Sequence, residues 1–192
     1  MTKKLAPVFF FAMAICYVMS CRQKKNDVFP ALDFIKGQVA HVDTSLYSII
    51  RLIPITDSTY DTTYIKREDF KNVAKDFLET PDISKKFGGK YTEERMMNNE
   101  LGLVVFIATT KDEDLEVRRQ EVRIKPDESG GSNDQIKSVY IEKVKNNNDS
   151  SVTKRMTWYT DNRFQVVTIT QRKNEKEKSS VMEVIWNNQE NY

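Results

Sequence analysis

The sequence predicts an α+β fold in which N-terminal helices pack on a curved antiparallel β-sheet built as a meander. Three observations carry that expectation. Apolar residues recur in alternating steps of four and three from Val28 to Ile49, which draws a single stripe down a helix. From Tyr91 onward, short alternating segments are separated by polar turns at regular intervals, the pattern of consecutive hairpin-linked strands. Within the second region, Leu101–Thr109 is apolar at odd and even positions alike, as a central strand covered on two sides would be.

The stripe consists of Val28, Leu32, Ile35, Val39, Val42, Leu46 and Ile49. Pro30 suits the first helical turn, where its missing N–H is no loss. Gly37 weakens the interior by about 1 kcal/mol relative to alanine. Two short strands are expected near Ile49–Pro54 and Thr59–Lys66, joined by Thr56, Asp57 and Ser58. A second helix is expected over Arg67–Leu78: Glu68 and Asp69 complement the positive end of its dipole, and Phe70, Val73, Phe77 and Leu78 form its apolar side. Thr80, Pro81 and Asp82 end it, and Phe87 to Lys90 is a glycine loop.

Five to seven consecutive strands follow. After Leu101–Thr109 come Val117–Lys125, which is more polar, and Ile136–Val144, which follows a flexible loop from Ser129 to Asn133. In the next strand Val152, Met156 and Trp158 alternate with Thr153, Arg155 and Thr157, so one side is wet. Asp161 and Asn162 turn the chain into Phe164–Gln171, and the charged loop Lys173–Lys178 leads to a last strand with Met182, Val184 and Trp186 on one side. No internal repeat is seen.

The first 21 residues read differently. Lys3 and Lys4 precede an apolar run from Leu5 to Val18, and small Ser20 stands directly before Cys21. A basic start, a short apolar core and a small residue at the cut are the parts of a secretory signal. The sequence Val18-Met19-Ser20-Cys21 resembles the bacterial lipobox, and that resemblance implies cleavage between Ser20 and Cys21 with lipid attached to the Cys21 thiol. An ordinary signal peptide and a retained N-terminal transmembrane helix are the other readings, and the run is short for the latter. The expected organisation is a lipoprotein signal peptide over 1–20, a lipidated cysteine and tether over 21–27, and a single domain over 28–192.

Charge and cysteine usage narrow the function classes. Removing Lys3 and Lys4 from the 30 basic residues leaves 28, which equals the 28 acidic ones. A neutral chain gives no electrostatic reason to expect nucleic acid as a partner. The chain has two cysteines, Cys16 and Cys21. With the first removed and the second acylated, neither a disulfide nor a thiolate nucleophile is expected.

Candidate chemical residues are few. His41 is the single histidine, so an imidazole metal cluster or a histidine-based triad is not expected, and no cofactor or metal is called for. Asp112, Glu113 and Asp114 lack the spaced ligands and turn glycine of a calcium loop. Glu93 and Glu94 fall on opposite sides of a strand and do not converge. The pairs Gly88-Gly89 and Gly130-Gly131 read as turns rather than phosphate loops, and Asn148-Asp149-Ser150 as an Asn-rich turn. Tyr140, Trp158, Phe164 and Trp186 lie on successive strand segments. They are read either as core or as the lining of a pocket for a lipid or other small hydrophobic ligand.

The lipobox, the polar tether and the small α+β domain resemble periplasmic Bacteroidota lipoproteins of unknown function. In that group an acidic patch after the cysteine is associated with surface display. Arg22-Gln23-Lys24-Lys25 is basic, which implies a protein facing the periplasm, and Arg22 departs from the aspartate that retains lipoproteins in the inner membrane, which implies the outer membrane. The expected role is non-enzymatic: binding a protein partner in the envelope or supporting an envelope assembly, with the membrane engaged through the anchor. The alternative is a carrier of lipid or a small hydrophobic ligand on the concave side of the sheet. A hydrolase with dispersed carboxylates is the third reading.

Overall fold

The computed structural model describes residues 28–87, 89–129, 131 and 133–187. Ser20, Cys21 and both N-terminal segments lie outside the described residues, as do Gly88 and Gly130.

The chain is an α+β protein dominated by one open, fully antiparallel nine-stranded sheet. Helix α1 spans Ala31–Thr44. Strands β1 (Ile49–Pro54) and β2 (Tyr60–Ile65) form a hairpin. Short helical turns follow, then seven strands in unbroken succession: β3 (Thr92–Asn98), β4 (Leu103–Thr109), β5 (Val117–Lys125), β6 (Gln135–Asn147), β7 (Ser150–Tyr159), β8 (Arg163–Arg172) and β9 (Lys178–Ile185). The spatial order is β2-β1-β9-β8-β7-β6-β5-β4-β3. The meander therefore runs in sequence order from β3 to β9, and the early hairpin is added beyond β9 through Ile50↔Ile185 and Leu52↔Glu183.

The first stripe divides between two elements. Val28, Leu32, Ile35, Val39 and Val42 are buried as their spacing predicts, but Leu46 is 93% exposed and Ile49 opens β1. Ser45 explains the break. Its backbone is extended, and both its N–H and its hydroxyl donate to the Val42 carbonyl, satisfying a terminal acceptor that the next helical turn would have used. Pro30 is the cap residue rather than part of the first turn.

The second helix is also corrected. Arg67–Leu78 is a 3₁₀ turn (Arg67–Asp69) followed by two single-turn helices, α2 (Phe70–Val73) and α3 (Lys75–Leu78). They are interrupted at Ala74, whose ψ of 5° lies outside the helical range. What the segment preserves is side-chain placement: Phe70 and Phe77 are both 0% exposed.

The apolar strand is not central. Gly102 takes a φ of 61°, a left-handed turn conformation natural to glycine, so Leu101 stays in the turn and is 65% exposed. Strand β4 starts at Leu103 and is the second strand from the β3 edge. Of its residues only Val105 and Ala108 are buried.

The core joins α1, α2, α3 and alternate strand residues in one cluster. Its centre is aromatic. The Trp158 and Phe164 rings stack with centroids 5.2 Å apart, Phe77 meets Trp158 edge-on at 5.2 Å, and Phe70 meets Trp186 edge-on at 5.4 Å. Offset and edge-on ring pairs contribute about 0.5–1.5 kcal/mol each beyond their buried area.

Candidate functional site

Each candidate residue has a definite place in this frame. Trp158 and Phe164 are 0% exposed and Trp186 3%, enclosed by Phe70 and Phe77. They are core. Tyr140 does not join them: Val139 and Ile141 on either side of it are buried, and strand alternation puts Tyr140 on the opposite face. There its hydroxyl donates to Glu142 Oε2 at 3.1 Å. Of the two readings of these four residues, core describes Trp158, Phe164 and Trp186, while Tyr140 stands apart on the other face.

The remaining candidates are turns and tips. His41 is exposed in the last turn of α1, with its ring 6.1 Å from that of Tyr47. Asp112 accepts from Lys90 Nζ at 2.8 Å and from the Asp114 N–H. The Lys90 ammonium, ahead of that N–H, holds its carboxyl below the ordinary range. Glu93 accepts the Phe29 N–H at 2.8 Å, whereas Glu94 is exposed on the other face. Gly89 takes a φ of 81° in its loop, and Asn148 and Asp149 make the β6–β7 turn, with Ser150 opening β7. Among the described residues no group of three histidine, cysteine, aspartate or glutamate side chains is placed to hold a metal ion.

One concave feature among the described residues was not singled out by spacing. A cleft of about 880 Å³ opens where α1 crosses the end of the sheet, between Phe34 and Gln38, the start of β6 and the β7–β8 turn. Ligand clefts are commonly about 300–1,000 Å³. Asp161 in that turn has a φ of 51°, a conformation that aspartate tolerates better than most residues. Its N–H donates to Gln38 Oε1 at 2.8 Å, tying the turn to the helix. The Thr160 hydroxyl donates to the Ile136 carbonyl at 2.5 Å, tying it to β6. The turn is thus tied to both neighbours, with Phe34 and Tyr159 lining the cleft among amides and Lys137, Asp161 and Arg163.

Such a lining suits a small molecule with both polar and apolar parts. Arg163 is already engaged, with its guanidinium 4.8 Å from the Tyr159 ring centroid and 3.2 Å from Glu183. The Asp161-Asn162 turn was legible in the sequence. Its juxtaposition with Gln38, 123 residues away, was not, because local periodicity carries no information about which helix side meets which strand end.

Beyond the cleft, the Tyr140 face carries paired charges. Glu121 accepts from Arg119 at 2.6 Å and from Arg123 at 3.1 Å, and Glu142 accepts from Arg155 at 3.3 Å. No protein-family model, no curated protein and no solved structure matches this chain.

Proposed function

We propose that this chain is a lipid-anchored envelope protein, cut before Cys21 and acylated there, that faces the periplasm from the outer membrane and has a non-enzymatic binding or assembly role. Its single domain is read as a sheet curved about the N-terminal helices. The observation that carries the proposal is the segment ending Val18-Met19-Ser20-Cys21, with a basic start and an apolar run before it. One acyl chain binds a bilayer only marginally, at about 0.8 kcal/mol per buried CH₂, whereas two or more hold firmly. Replacing Cys21→Ser should move the protein from the membrane to the soluble fraction, followed by fractionation and intact mass. A mutant that stays membrane-bound at full precursor mass would identify the segment as a transmembrane helix and end the proposal.

The cleft favours a second reading, carriage of a small ligand. Its volume and its mixture of rings, amides and charges suit an amphiphile better than a purely apolar chain. Native mass spectrometry of the protein released gently from membranes should then reveal a stoichiometric small-molecule adduct, lost on Phe34→Asp. A bare protein mass in every preparation would retire this reading and leave the protein-binding one.

A further inference from the structure

Both end hairpins of the sheet expose large apolar side chains; on β1–β2 they are Ile55, Tyr60 and Tyr64, at 69%, 51% and 75%. Met96 and Met97 of β3 are 54% and 53% exposed, and Leu101 in the turn to β4 is 65% exposed. Single exposed apolar residues are ordinary; three on one short two-stranded element are more than scatter. Met96 and Met97 are consecutive in an edge strand, so they project to opposite sides. The hairpin therefore carries one exposed apolar side chain on each side and one at its tip, among the exposed charges of Glu94, Arg95 and Glu100. A protein layer stacked on the sheet would cover one side. A medium that surrounds the element, such as the acyl–headgroup boundary of a bilayer, covers all three.

The start of the described chain lies against the same strand. The Phe29 N–H donates to Glu93 Oε2, and the Phe29 ring is 5.6 Å from that of Phe106, over which the Arg95 guanidinium lies at 4.3 Å. Glu93 and Arg95 belong to β3. Met97 is two residues farther along, roughly 7 Å at the rise of a strand. The six residues 22–27 reach at most roughly 22 Å when fully extended. The opposite edge, β2, is eight strand spacings away along the sheet, roughly 38 Å.

We propose that the β3–β4 hairpin is a membrane-contact element: Met96, Met97 and Leu101 insert into the surface of the bilayer that holds acylated Cys21, and the domain stands with its β3 edge toward the lipid. This rests on the acylation proposed above. The hairpin bears Glu93, Glu94, Arg95 and Glu100, with no cationic excess, so apolar insertion rather than attraction to anionic headgroups holds it.

The test uses the full-length lipidated protein in phosphatidylethanolamine–phosphatidylglycerol vesicles. A polarity-sensitive thiol dye is placed at Leu101→Cys or, on the far hairpin, at Ser58→Cys, with circular dichroism to confirm folding. On the proposed reading the acylated Cys21 thiol does not react, so the introduced cysteine alone is labelled. Emission from position 101 should shift to the blue and lose most of its intensity when lipids carry a spin-label quencher. Both changes should persist in high salt and disappear when Met96→Asp and Met97→Asp are added. Position 58 should remain aqueous.

An acylated protein whose dye at 101 stays aqueous, or is quenched no more than at 58, overturns the hairpin proposal while leaving the anchor intact. A blue shift that depends on protein concentration without lipid quenching also overturns it, by assigning the exposed side chains to a second copy. The intact mass separates the remaining case: Cys21 without lipid overturns the anchor and, with it, the membrane contact.

Discussion

The two faces of the sheet are built from the same alternating strands but held by different physics. On the Trp158 face, Val122, Val139, Ile141, Met156, Phe164, Val166 and Val184 are buried beneath Phe70 and Phe77. On the Tyr140 face, Arg119, Glu142 and Arg155 stand opposite one another on three neighbouring strands, alternating in sign. The first face derives its stability from packing, at about 1.5–3 kcal/mol per buried large side chain. The second gains little from each exposed ion pair, about 0–1 kcal/mol; what it gains is order across strands, since unlike charges sit opposite and like charges do not.

Lys143 and Lys154 complicate the division. They are cross-strand partners on the packed face, an arrangement that is unfavourable for like charges. Each is neutralised separately, Lys143 by Glu116 at 2.9 Å and Lys154 by Asp76 of α3 at 2.5 Å. The rim of the apolar face is thus closed by ion pairs that reach across to other elements.

The contrast is most directly broken at its centre. Trp158→Ala should cost about 3–5 kcal/mol, the range for deleting a large buried ring. Tyr140→Ala, which loses a half-buried ring and one hydrogen bond, should cost about 1–2 kcal/mol. Urea unfolding of both variants checks this, and equal losses would show that the Tyr140 face is packed as well. At the rim, Asp76→Ala leaves Lys154 opposite Lys143 and should cost about 1–2 kcal/mol. Glu121→Gln on the other face should lose less than about 1 kcal/mol, and less still in high salt.

Alkaline pH sharpens the same comparison. Burial raises the Tyr91 phenol to about 12. Burial, with the Glu142 carboxylate beside it, does the same for Tyr140. A raised folded pKa means that the folded state holds the proton longer than the unfolded chain does. Their stabilisation is present in full below the ordinary tyrosine value of 10 and is lost as pH rises through about 12. Tyr140→Phe and Tyr91→Phe should each remove part of that dependence, read from unfolding midpoints against pH. The smallest effect is expected at Asp161→Gly, where relief of the positive φ stabilises by less than about 1 kcal/mol with the Asp161 N–H bond to Gln38 retained.

How much of this was legible follows from where each signal lies. Period-two alternation is a local property, so the boundaries of β5, those of β8 to within one residue at each end, and the buried set Met156, Trp158, Phe164 and Val184 could be read directly. Termination is set by single residues, which periodicity does not reveal: Ser45 ends α1 although the apolar spacing runs on, Gly102 withholds Leu101 from β4, and Ala74 splits the second helix. Strand order was only partly readable, since a meander follows chain order but the return of β1 to β9 does not. The four aromatics looked equivalent along the chain, and only the one-residue parity of Tyr140 against Val139 and Ile141 separates its face from theirs. The cleft combines Gln38 with Asp161, a pairing that exists only once α1 has crossed the sheet.

The union of β1 with β9 also has a consequence for how the molecule forms. Strand β1 is made early and its partner is the final strand, so Ile50 must wait for Ile185 while the whole meander is synthesised between them. Closing so long a loop is entropically unfavourable until the intervening hairpins have shortened it, and pairings of high sequence separation slow folding. The natural order is hairpins first and the β1–β9 seam last. Until that seam closes, β1 and β9 each present an unpaired edge. A chain that stops short of Lys178 would keep both the β1 edge and the β8 edge open, turning an intermediate of folding into a template for association.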